Sequence, residues 1–132
     1  MHAWTGPIPM DGRPLYRVAG DKPMNGHPFA IRLRTFPMGK DIAFLITGGQ
    51  AHIGAVALAY PTGEGVEAAV YALPGHREGE IAEELARRAA EALGCTVVVA
   101  MGIHVEGATK EEINAIVRTV HRLMEDELAR IA

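Results

Sequence analysis

The stretch DIAFLITGGQAHIGAVALAY, Asp41–Tyr60, decides how the chain folds. Two apolar runs, Asp41–Gly48 and Ile53–Tyr60, flank a polar tip that contains Gly48, Gly49, Gln50 and His52. Each run is short, rich in strand-forming residues and apolar on both faces, so each reads as a central strand. Gly48 and Gly49 supply the backbone freedom a tight turn needs. A histidine beside two glycines is more than a turn requires. The same pairing returns in LPGHRE, Leu73–Glu78, and in MGIHVEGAT, Met101–Thr109.

Working outward, FAIRLRTF (Phe29–Phe36) sets Ile31, Leu33 and Thr35 against Arg32, Arg34 and Phe36, so this strand has one wet face. VEAAVYAL (Val66–Leu73) is a fourth strand, and PMGK and PTGEG are turn-rich links. These four runs predict an antiparallel meander. The period then changes. Ile81, Ala82, Leu85, Ala86, Ala89 and Leu93 recur at helical spacing from Glu80 onward, and Gly94 is a helix stop. CTVVVAMGI (Cys95–Ile103) is a β-branched buried strand. Thr109 with Glu112 fits a capping box, followed by Ile113, Ile116, Val117, Val120, Met124 and Leu128 along one face of a last helix. The expected fold is α+β: a two-layer α/β sandwich in the order β-β-β-β-α-β-α. Its five-stranded sheet is mixed and mostly antiparallel, with both helices on one face.

The chain of 132 residues suits a single domain, and 48% hydrophobic with 22% charged residues is a globular composition. Residues 1–28 stand apart, because Pro7, Pro9, Pro14, Pro23 and Pro28 alternate with glycines; this is an extended arm, with a short edge strand near Leu15–Ala19. The ligand-binding domain is expected over 29–132. Trp4, Ile8, Met10 and Leu15 in the arm are costly to leave wet, so a homodimer or higher homo-oligomer is expected. A net charge of -3 and the lack of a basic stripe point away from nucleic acid. No apolar run reaches membrane-spanning length, MHAWTGPIPM lacks the features of a secretory signal, and Cys95 has no intrachain partner. The default location is cytoplasmic.

In a meander of this kind the second, fourth and fifth strands all end at one edge, and both helices begin there. His52, His76 and His104 are therefore expected on one rim, with His27 near it. Helix N-termini favour anions, and Arg77 and Lys110 add positive charge. Candidate ligand-binding residues are Gly48, Gly49, His52, Ile53, His76, Arg77, His104, Thr109 and Lys110. They suit a phosphorylated ligand whose apolar part meets Ile53, Met101 or Val105. Each element has a plainer reading: a turn at Gly48–Gly49, a cap at Thr109, surface histidines. The histidines show no HxH or HExxH pattern, so no metal ligand is assigned and the signal for zinc or iron is weak. A small histidine-based hydrolase or lyase, metal-dependent or not, acting on a phosphorylated compound is an alternative. A purely structural subunit is another.

ITGGQAHIGAVALA, LPGHRE and GIHVEGATKEEI resemble the LpdD-like family, across roughly residues 29–120. The resemblance implies the D subunit that accompanies UbiD-type decarboxylases such as gallate decarboxylase, a chaperone for prenylated flavin mononucleotide (FMN). It implies that cofactor, or FMN itself, as ligand and a UbiD-type decarboxylase as partner, with no catalytic residue of the chain's own.

Overall fold

Period-two alternation is clearest in Asp41–Gly49, where Ile42, Phe44, Ile46 and Gly48 are buried and the residues between them are not. The structure, a computed structural model, describes residues 17–20, 30–75 and 77–132. Its elements are β1 (Arg17–Gly20), β2 (Arg32–Met38), β3 (Asp41–Gly49), β4 (Ala55–Thr62), β5 (Gly65–Ala72), α1 (Glu78–Leu93), β6 (Val97–His104) and α2 (Lys110–Ile131). The strands form one sheet in the order β1-β2-β3-β6-β4-β5.

This corrects the expected five-stranded meander in two ways. Among the described residues the sheet has six strands, because residues 17–20 of the expected arm, where a short edge strand was expected, pair antiparallel with β2 at the sheet edge. The consecutive strands β3 and β4 are not paired, because β6 lies between them, parallel to β3 and antiparallel to β4. The physical reason lies in the composition of β6. Val97, Val98 and Val99 make it apolar on both faces, and an interior position satisfies its backbone on both edges. The crossover through α1 carries the chain from β5 past β4 to β6, which runs parallel to β5. The fold class and the two helices are as expected.

One face of the sheet is the core. Cross-strand rows Leu33–Ile46–Met101–Ala55 and Thr35–Phe44–Val99–Ala57 are in register and buried. Both helices cover this face. α1 lies on β4, β5 and β6, while α2 reaches β1 and β2. Alanines at 55, 57 and 59 on β4 and at 82, 86 and 89 on α1 are all buried, and their small size lets that helix sit low. α1 ends at Gly94, in the left-handed conformation at φ 66°, whose N–H donates to the Ala90 carbonyl. α2 opens on the expected capping box, with Thr109 Oγ1 accepting from the Glu112 N–H. Cys95 is buried in the core.

The other face of the sheet is apolar too, and among the described residues no helix covers it. Val56, Leu58 and Tyr60 of β4 and Tyr71 of β5 are exposed there, beside half-buried Ala43, Leu45, Val98 and Ala100. The second apolar face of Ile53–Tyr60 therefore does not mark a fully enclosed strand: β4 is one position in from the edge.

Candidate functional site

Strand direction survives the change in strand order. β3 is parallel to β6, and both β5 and β6 run antiparallel to β4, so β3, β5 and β6 end at one edge. The start of α1 lies at the same edge, where Gly54 and Ile103 approach Glu78. A cavity of about 610 Å³ opens here, between the two helices and the end of β6. His52, Arg77, Glu78 and His104 contribute its polar lining. Its apolar walls come from Ile81 of α1, from Met101, Ile103 and Val105, and from Ile113, Ile116, Val117 and Val120 of α2.

His52 is held by the loop between β3 and β4. Its Nδ1 is 3.0 Å from the Gln50 carbonyl, and its Nε2 is 3.5 Å from Glu78 Oε1. Two glycines make this possible. A Cβ on Gly102 would sit 1.9 Å from the His52 carbonyl oxygen, and one on Gly54 would sit 2.8 Å from Glu78 Oε2. The Glu78 carboxylate is 13% exposed, and among the described residues its Oε2 has no hydrogen-bond partner. Glu78 is not among the site residues expected from the sequence. The signal for it was its place at the first position of α1, directly after a glycine–histidine loop on the rim. His104 is more exposed than His52, and its Nε2 lies 3.0 Å from Glu106 Oε2.

The other expected site residues are distributed as follows. Arg77, the N-cap of α1, lines the cavity, and no side chain caps that helix. Gly49 has φ +63°, and a Cβ there would meet the His104 carbonyl oxygen at 2.1 Å. The next residue, Gln50, donates its N–H to that same carbonyl at 2.9 Å. The Gly48–Gly49 turn thus ties the end of β3 to the end of β6, and neither glycine is in the cavity lining. Ile53 is exposed and outside the lining. Thr109 is occupied by the capping box, and Lys110 is exposed; the α2 loop reaches the cavity through Gly107 and Ala108 instead. His76 and His27 lie outside the described residues. Among the described residues, no group of three or more His, Cys, Asp or Glu side chains is placed to hold a metal ion.

Residues 25–132 match the prenylated flavin chaperone LpdD-like domain. The chain belongs to that family. The match extends beyond the motif-bearing loops to include α2 entirely, and it begins after β1. Membership makes this a chaperone-family chain linked to a prenylated flavin. No curated protein sequence matches it. Among solved structures, it is similar to a chain of a chaperone complex for yeast 20S proteasome assembly. The TM-score is 0.52 at 14% identity, covering 86% of this chain and 98% of that one. That likeness is one of fold.

Proposed function

We propose that the protein binds prenylated FMN in the cavity between α1 and α2 and delivers it to a UbiD-type decarboxylase. The observation that carries this reading is the distribution of chemistry around the cavity: apolar walls, with His52, Arg77, Glu78 and His104 as its polar lining. Its volume of about 610 Å³ is in the range of small-molecule sites. An apolar ring system suits the walls. The phosphate suits Arg77 and the first turn of α1, which has no side-chain cap. The start of α2 is a poorer phosphate site, because the capping box already engages two of its donors, the Thr109 and Glu112 N–H groups. FMN itself would use the same contacts.

The test is anaerobic titration with prenylated FMN, followed by transfer to a decarboxylase stripped of cofactor. Saturable binding and restored decarboxylase activity are expected. Val117→Trp, which fills the cavity, should abolish both while leaving the far-ultraviolet circular dichroism unchanged. Normal binding by that variant counts against this cavity. The His52–Glu78 pair favours a second reading, a histidine-based hydrolase or lyase acting on a phosphorylated compound. Turnover of such a compound, lost in His52→Ala, would support it.

The apolar outer face of the sheet also supports self-association into a dimer or higher homo-oligomer.

A further inference from the structure

We infer that the end of the flavin bearing the prenyl unit is the end that enters between the helices, and that Ile113 and Val117 of α2 select the prenylated cofactor over plain FMN. This rests on the binding proposed above and adds an orientation and a pair of specificity residues.

Two observations carry it. The first is the pattern of wetting along α2. Ile116 and Val120 are buried, as the inner stripe of an amphipathic helix should be. Ile113 belongs to the same stripe and lines the cavity, yet is 49% exposed, and Val117 is only half-buried. Ile81, Ile103 and Val105, which line the same cavity, are also half-buried. Apolar side chains from three elements thus face one gap without closing it. Water against them is unfavourable, and an apolar group placed there gains from every wall.

The second observation is the uneven placement of polar groups. The α2 wall offers no side-chain donor or acceptor, whereas His52, Arg77, Glu78 and His104 come from the other elements around the cavity. The pyrimidine edge of a flavin carries N–H and carbonyl groups that would be left unpaired against α2, at a substantial cost. The hydrocarbon end of the ring system has no such groups, and the five-carbon prenyl unit extends it. The ligand therefore fits in one sense: hydrocarbon toward Ile113 and Val117, pyrimidine edge and phosphate toward the polar lining.

The size of the effect follows from transfer of the added carbons. Burying one methylene is worth about fourfold, so partial burial of five carbons, equivalent to roughly three or four fully buried ones, should give a preference of about 100-fold.

The experiment is a comparison of prenylated FMN with plain FMN, by anaerobic titration, on the parent protein and on Ile113→Ala, Val117→Ala and Leu58→Ala. The parent should prefer the prenylated form by about 100-fold. Each α2 variant should lower that preference by about fivefold while moving plain FMN by less than threefold. Leu58, on the far face of the sheet, should leave the preference unchanged. Ile113→Ala alters a half-exposed side chain, so its folding is not at issue; thermal unfolding checks Val117→Ala. If the parent binds both forms equally, or if both α2 variants keep the full preference, the inference is overturned and the binding reading stands. If the parent fails to bind prenylated FMN, the binding reading falls and the inference falls with it.

Discussion

His52 Nε2 lies 3.5 Å from Glu78 Oε1, while Nδ1 of the same ring is 3.0 Å from the Gln50 carbonyl oxygen. A carbonyl only accepts, so Nδ1 carries a proton. Nε2 of the same ring then faces the Glu78 carboxylate, which is 13% exposed, so a change at either side chain alters the surroundings of the other. His52→Ala and Glu78→Ala should therefore be non-additive. A double-mutant cycle in urea is expected to give a coupling energy of about 1 kcal/mol, reduced by the partial exposure of His52. Additivity within about 0.3 kcal/mol would show that the two residues are independent.

Arg77 lines the cavity, Lys110 does not, and Arg34 lies on the opposite face of the sheet, where its Nη1 donates to Thr47 Oγ1 at 3.2 Å. A charge-assisted phosphate contact is worth roughly 1.5–3 kcal/mol. Arg77→Ala should weaken FMN binding by about tenfold or more, and Lys110→Ala and Arg34→Ala should change it by less than twofold. Calorimetric titration of the three variants gives the ranking. Equal losses at Arg77 and Lys110 would return the phosphate to the α2 side of the rim.

Much of this was legible from local pattern. Ile31–Thr35 alternated as a one-sided strand, Ile81–Leu93 repeated at helical spacing, and Thr109–Glu112 announced a cap that the structure contains. Those signals depend on neighbours within a few residues. The position of β6 between β3 and β4 does not: it is set by which strand gains most from an interior place, a comparison across the whole chain. The cavity was partly legible for the same reason. Strand direction alone brings the ends of β3, β5 and β6 to one rim, and it is unchanged by the insertion of β6. Gly54 and Gly102 were illegible as site residues, because their value is the space they leave for Glu78 and His52 across the sheet. Gly49 was read as ligand-facing, yet its φ and its approach to the His104 carbonyl give it a job between two strands.

The buried carboxylate of Glu127 holds α2 against the sheet. Thr35 Oγ1 donates to it at 2.7 Å, and Arg130 contacts both oxygens, at 3.0 and 2.8 Å. The hydrogen bond to Glu127 is the main reason the Arg130 guanidinium titrates above its ordinary value. Glu127→Ala strands a buried hydroxyl and leaves a gap under the helix, and should cost about 3 kcal/mol. Thr35→Val leaves the Arg130 contacts in place and should cost about 1 kcal/mol. Urea denaturation measures both. A Glu127→Ala cost no larger than that of Thr35→Val would mean that the carboxylate matters only through the threonine.

The outer face of the sheet, which no helix among the described residues covers, gives the last expectation. Val56, Leu58, Tyr60 and Tyr71 are between 37% and 73% exposed, on neighbouring strands and over half-buried Val98 and Ala100. A contiguous apolar surface of this kind on a twisted sheet favours association with a second apolar surface, and an isologous contact between two copies presents the same patch from both sides. Sedimentation equilibrium of the parent should therefore show a dimer or a higher closed oligomer at micromolar concentration. Leu58→Asp combined with Tyr71→Asp places charge in the middle of the patch, where burial without a partner is strongly unfavourable, and should give a monomer. The cavity lies on the helix side of the sheet, so the monomeric variant should bind flavin as the parent does. That separation makes the test informative. A parent that is already monomeric removes the outer face from assembly, while a variant that loses both association and flavin binding would tie the site to the interface.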